Sequence, residues 1–406
     1  MRRVVVTGMG LVSSIGSNVA EATKSLREGA SGITFSEDFA ELGFRSQVWA
    51  RPKIDVEEVL DRRTRRFMGE GAAWNYMAME EALADARLDR AEISDPRIGL
   101  IIGSGGPSTR AIVEAANKTV SSKSTKKIGP TIVPKAMSST NSANIAVPFK
   151  IHGVNYSISS ACATSVHCIG AAAEQIMLGK QDVMFAGGGE ECEWTMANLF
   201  DAMGAMATRY NETPHSASRA YDKDRDGFVI AGGAGIVVLE EYERAKARGA
   251  PIYGEIVGYF ANSDGDDMVQ LSGEGAVRCM SGAMETVKCD IDYVNTHGTS
   301  TPVGDSKETA ALREVFGPSI PPFSSTKSLT GHSLGAVGVQ ETIFGLIMMR
   351  DRFLTASAHI EELDPEFEGL PIVRERVDDA KIDCFMTNSF GFGGTNGCLV
   401  IQRVED

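Results

Sequence analysis

SSACATSVHCIGAAAEQ, residues 159–175, aligns without gaps to SSTKSLTGHSLGAVGVQ, residues 324–340. Six of the seventeen positions are identical at a shift of 165 residues: Ser159/Ser324, Ser160/Ser325, His167/His332, Gly170/Gly335, Ala171/Ala336 and Gln175/Gln340. Each copy reads as an apolar strand, a Ser-Ser pair, a special residue and a helix of small residues. The special residue is Cys162 in the first copy and Lys327 in the second. The shift is too long for a solenoid period, so the chain reads as two related halves that bring both strand-to-helix turns near one axis.

Short β-branched runs recur on either side of these copies, at residues 4–7, 98–102, 154–159, 183–187, 236–239, 252–259, 291–296, 384–388 and 398–402. Helical patterns at 64–87, 164–178, 275–287 and 334–349 alternate with them, which predicts a layered α/β chain. The charged helix 240–248 followed by Gly249-Ala250-Pro251 marks the boundary between a first half, 1–250, and a second, 251–406.

With 406 residues, 43% hydrophobic and 23% charged, the chain is long enough and balanced enough to bury a large core. A formal charge of −14 argues against a broad nucleic-acid footprint. The seven cysteines are scattered with no C-x-x-C pair, which predicts reduced thiols and a cytoplasmic location. Residues 1–10 read as a first strand and no apolar run approaches 18 residues, so neither a signal peptide nor a membrane span is expected. Gly8-Met9-Gly10 and residues 103–106 do not complete G-x-G-x-x-G, which disfavours nucleotide binding.

Cys162 lies where a strand turns into a helix, and unpaired N–H groups at a helix start favour thiolate and can stabilise a neighbouring oxyanion. We therefore read it as a nucleophile and the other six cysteines as small apolar residues. His297 in NTHGTSTPVGD and His332 in STKSLTGHSLG occupy glycine-flanked turns after strands. His152, His167, His215 and His359 read as structural or surface groups. Cys162, His297 and His332 lack short metal-ligand spacing, so no metal is expected. Lys327 reads as a charged anchor, with Glu308 and Glu341 as its candidate acids. Asp305 is expected to cap the helix that follows it. Gly391, Gly393 and Gly394 in NSFGFGGTN supply backbone free to approach a substrate oxygen, with Phe390 and Phe392 lining an apolar entrance. Arg62, Arg63, Arg65 and Arg66, with Lys123, Lys126 and Lys127, are local basic exceptions able to steer an acidic protein partner.

Together these segments resemble the β-ketoacyl-acyl-carrier-protein synthases, condensing enzymes of fatty-acid synthesis with the thiolase fold. The resemblance runs from VVVTGMGLVSSIG at 4–16 through SSACATS, GGGEE at 187–191, THGTSTPVGD and STKSLTGHSLGA to NSFGFGGTN. It implies two pseudo-duplicated halves layered α-β-α-β-α and a decarboxylative condensation of acyl-enzyme with malonyl-carrier, without cofactor. By resemblance, Cys162 accepts the acyl group, His297 and His332 complete a Cys-His-His triad, and Lys327, Glu308 and Glu341 support it. The N–H groups of Cys162 and Phe392, beside Gly391, would form the oxyanion hole, and Thr299 and Thr301 would touch phosphopantetheine. Gly106 stands where synthase II tends to carry a bulkier gate, which favours the synthase I type. Pro107 and Leu271 depart from the usual synthase I pattern and bear on acyl-chain preference. The implied partners are an acyl-carrier protein and a second copy of the chain.

Overall fold

The computed structural model describes residues 1–404. Ten strands form one mixed sheet: β1 (Val4–Val12), β2 (Ile98–Gly103), β3 (Asn155–Tyr156), β4 (Val183–Glu190), β5 (Gly233–Glu241), β6 (Gly254–Ser263), β7 (Tyr293–Asn295), β8 (Phe323–Ser324), β9 (Cys384–Gly391) and β10 (Thr395–Gln402). Their spatial order is β8-β7-β9-β10-β6-β1-β5-β4-β2-β3. The first five strands are thus arranged third, second, fourth, fifth, first, and the last five repeat that order. Pairing sense repeats as well. β2 is parallel to β3 and β4, while β4–β5 and β5–β1 are antiparallel. β7 is parallel to β8 and β9, while β9–β10 and β10–β6 are antiparallel. The two copies of the unit join where Val5 and Val6 of β1 pair with Glu255 and Gly254 of β6.

Six helices set the layers: α1 (Glu70–Asp85), α2 (Thr164–Met177), α3 (Trp194–Met203), α4 (Glu274–Met284), α5 (Pro302–Phe316) and α6 (Val337–Asp351). α2 and α6 pack together between the two halves of the sheet and share one apolar core with both. α1 and the helix Thr140–Phe149 cover the outer face of the first half, and α4 and α5 that of the second. Position in this stack explains the sequence. Thirteen of the fifteen residues of α6 are buried, so it carries no polar stripe. Its Gln340 is satisfied inside, with Nε2 donating to the Val12 carbonyl and Oε1 accepting from Ser333. All nine residues of β1 are buried, hence its largely apolar run, whose one polar side chain, Thr7, donates to Glu240. Gly8 and Gly10 on that strand let α1 approach until any side chain there would overlap Ala82 and Ala78 of the helix backbone.

Four expectations are corrected. The strand read at 154–159 is regular only at Asn155–Tyr156, because the chain then bends into the turn that carries Cys162. The helix read at 64–87 is two helices: Arg62–Arg65, capped by Asp61, and α1, which restarts after the extended backbone of Gly69. Asp305 does not precede its helix. Thr301 and Pro302 start α5, and the buried Asp305 carboxylate reaches back to the Ser300 and Tyr221 N–H groups and faces Arg225. Cys289 and Cys384 are paired as a disulfide, because Cys384 begins β9 against Asp292, three residues past Cys289. The other five thiols are free.

Candidate active site

Cys162 stands just before α2, where Ala161 takes a φ of +48° and Ser160 N–H donates to Thr164 Oγ1 at 2.8 Å. The sharp turn exposes the sulfur to a cavity of about 210 Å³ whose wall includes His297, His332, Thr299, Thr301, Phe390, Gly391 and Phe392. His332 belongs to the second half, yet its backbone is held by the first: its N–H donates to Val229 and its carbonyl accepts from Ala231. His297 follows β7, and its turn is fixed by Glu308, whose carboxylate accepts from the His297 and Gly298 N–H groups at 2.8 Å each. Asn388 Nδ2 donates to the same carboxylate at 3.2 Å. Glu308 therefore shapes the His297 loop rather than pairing with Lys327. Glu341 is the acid that meets Lys327, at 2.5 Å with both groups buried.

His332 Nε2 lies 3.0 Å from Cys162 Sγ, and the two imidazoles cross at 88° with centroids 5.3 Å apart. Burial, reinforced by the Lys327 cation, holds both histidines well below their ordinary pKa, so both rings are neutral at pH 7. Burial also pushes the Cys162 thiol up to about 12, against the opposing pull of Lys327 and of the Cys162 and Phe392 N–H groups. The N–H groups at the helix start thus pull toward thiolate, as expected, while burial acts in the opposite direction. Both N–H groups nevertheless face the sulfur. A side chain on Gly391 would press on Cys162 N and Ser160 O at 3.1 Å, so glycine keeps this approach open.

The three candidate ligand atoms of Cys162, His297 and His332 lie within 4.8 Å of one another, closer than their sequence spacing suggested. A metal-binding imidazole normally donates its second N–H to a carboxylate or carbonyl, whereas Nδ1 of both rings has no partner. With the Lys327 cation alongside, the group suits proton and oxyanion chemistry better than a metal ion.

Thr299 and Thr301 line the cavity with hydroxyls 3.0 Å apart, joined by Leu271 and Val269. Gly106 lies outside it. A methyl at Gly106 would meet Met196 at 2.6 Å, and Met196 packs with the wall residues Phe200, Phe228 and Leu334. Arg62, Arg63, Arg66, Lys123, Lys126 and Lys127 are all exposed and do not line the cavity, while Arg65 is taken by Glu57 at 2.9 Å. Glu190 was not anticipated. Buried at the end of β4, it accepts from Ser104, Gly105, Gly106 and Gly335, tying the Gly106 loop to the His332 turn. An acid ending an apolar glycine-rich strand was the available signal.

Comparison with known proteins gives a consistent answer. The β-ketoacyl synthase N-terminal domain profile matches residues 1–245 and the C-terminal domain profile residues 253–361. The chain is 58% identical over the full length of both proteins to 3-oxoacyl-[acyl-carrier-protein] synthase 1 of Escherichia coli, and 55% identical over 99% of both to that of Haemophilus influenzae. It is 39% identical to the synthase 2 of Vibrio cholerae over 99% of both chains. Among solved structures, a β-ketoacyl synthase from Burkholderia phymatum superposes with a TM-score of 0.93 over all of both chains at 37% identity. A type II polyketide ketosynthase solved with its acyl-carrier protein superposes at 0.90, with 29% identity over all of both chains. With a duplicated sheet, a shared central layer and a cysteine facing two histidines, this chain belongs to the β-ketoacyl synthase family.

Proposed function

We propose that the protein is a 3-oxoacyl-[acyl-carrier-protein] synthase of the synthase 1 type, condensing an acyl-enzyme thioester with malonyl-carrier in fatty-acid elongation. The observation that carries this reading is the Cys162 sulfur 3.0 Å from a neutral imidazole, inside a cavity that a second imidazole shares. Attack of Cys162 on an acyl-carrier thioester forms a new thioester and breaks the carrier C–S bond, the Cys162 proton passing to the released carrier sulfur while His332 Nε2–H, 3.0 Å away, steadies the developing thiolate. The tetrahedral oxyanion is held by the Cys162 and Phe392 N–H groups. Malonyl-carrier then enters past Thr299 and Thr301. Its carboxylate leaves as carbon dioxide, and the enolate oxygen is held by the Nε2–H groups of His297 and His332. The enolate carbon attacks the acyl carbonyl and expels Cys162 as thiolate, which takes up a proton from water to restore the thiol. Lys327, held in place by Glu341, adds a positive field to the burial that keeps both rings neutral, so that each can donate its single N–H to the enolate.

The acyl-carrier protein is the proposed partner, steered by Arg62, Arg63, Arg66, Lys123, Lys126 and Lys127 on a chain of charge −14. A homodimer is supported by β3, an edge strand whose Asn155 and Tyr156 are exposed with one side unpaired. We place the protein in the cytoplasm and its internal division at residues 250/251, in line with the strand order that restarts at Gly254. Cys289 and Cys384 lie away from the cavity lining, so reduction of their disulfide leaves the chemistry in place. The test is intact-protein mass measurement after incubation with acyl-carrier protein bearing a medium-length chain, with peptide mapping. An acyl adduct on Cys162 alone is expected. An adduct on another residue, or reaction with acyl-coenzyme A in preference to the carrier, would contradict the proposal.

A further inference from the structure

Ala161 is held in the left-handed region, a strained conformation for a non-glycine residue that persists only where its surroundings fix it. Beside this turn stands His167, five residues beyond Cys162 as His332 is five beyond Lys327, and it bonds Ser160, the neighbour of Ala161. His167 Nδ1 lies 2.7 Å from Ser160 Oγ, and Nε2 lies 3.0 Å from the Asn396 carbonyl oxygen. A carbonyl only accepts, so Nε2 carries the proton and Nδ1 accepts from the Ser160 hydroxyl. The ring thus joins two pieces of chain. Ser160 belongs to the turn that presents Cys162 N–H, and Asn396 sits on β10 opposite Phe390, beside the glycine turn that presents Phe392 N–H. Asn396 is itself anchored, its Nδ2 donating to Asp264 Oδ1 at 2.6 Å and Asn262 Oδ1 at 2.9 Å. Gly397 lets the ring in, since a side chain there would press on His167 Nε2 and Cδ2 at 3.1 Å.

We propose that His167 is a positioning residue that sets the spacing between the two backbone N–H donors of the oxyanion hole by tying the Ser160–Cys162 turn to the β9–β10 hairpin. The inference rests on the reading of Cys162 as acyl acceptor. At equivalent places in the internal repeat, one histidine donates to the reacting oxygen and the other holds the donors of the opposite oxyanion.

Two rates test it in wild type, His167→Gln and Ser160→Ala: acyl transfer from acyl-carrier protein to Cys162, followed by quenched intact-protein mass, and carbon dioxide release from malonyl-carrier. Glutamine can still reach Asn396 but loses Ser160, and Ser160→Ala breaks the same bond from its other end with a smaller change. Acyl transfer should slow about tenfold in each variant. Decarboxylation should stay within about twofold, because its enolate is held by imidazoles and not by these N–H groups. The double variant should be no slower than the slower single one. Unchanged acyl transfer in both variants, or equal loss of both rates, would overturn the proposal. Wild-type protein that never acquires an acyl group on Cys162 would instead overturn the reading on which it rests.

Discussion

Cys162, His297 and His332 divide the chemistry between two kinds of donor, and single substitutions should separate them. His332→Ala and His297→Ala should each lower malonyl decarboxylation by about 10²–10³, the loss typical of one oxyanion donor. The His297 variant should retain more acyl transfer, because only His332 touches the sulfur; release of labelled carbon dioxide and the acylation rate measure the two. Gly106→Ile should push Met196 toward the aromatic wall and shorten the longest acyl chain accepted, read from the products made with a series of acyl-carriers. At this scale the sequence singled out the three side chains that the structure gathers at the cavity, because a cysteine at a strand-to-helix turn and two histidines in glycine-flanked turns are legible by type. It did not yield Glu190 or the role of His167. Their partners are backbone groups far along the chain, which no local pattern encodes. Nor did it yield the burial that opposes the helix start at the sulfur, since burial depends on tertiary packing.

Elements aim these side chains through close backbone approaches and buried acids. A methyl at Gly10 would strike the Ala78 carbonyl of α1, so Gly10→Ala should cost about 1–3 kcal/mol in denaturant unfolding. Glu190, at the end of β4, is pushed by burial from an ordinary 4.5 up to about 7. The folded state then binds more protons than the unfolded chain between those values, and this carboxyl's contribution to stability falls as pH rises from about 4.5 to 7. Glu190→Gln removes that titration. The melting temperature of the variant should gain on wild type as pH rises across the interval, and a constant difference would assign the shift to other groups. Element type was legible where periodicity was strong, as in α2 and α6. Boundaries failed where tertiary hydrogen bonds end a strand early or where Gly69 restarts a helix.

Across the whole molecule, the repeat of 159–175 at 324–340 announced the duplicated sheet order, because the same strand-turn-helix unit is used twice. The joining of the two halves of the sheet through β1 and β6 was not legible, since it rests on only two residue pairs at the seam. Net charge also acts at this scale. Arg62→Glu with Arg66→Glu should raise KM for carrier-bound substrate several-fold at low salt, with the difference shrinking as ionic strength rises and kcat unchanged. Steady-state kinetics over a salt series measure this. The duplicated architecture brings a sulfur from one half against two imidazoles from the other, and this convergence is the claim on which the account stands. Its most direct measurement is carbon dioxide release from malonyl-carrier by Cys162→Ala, alone and combined with His332→Ala. The single variant should decarboxylate without condensing, and the double variant should lose decarboxylation by about 10²–10³. A single variant silent in both reactions, or a double variant as active as the single, would contradict it.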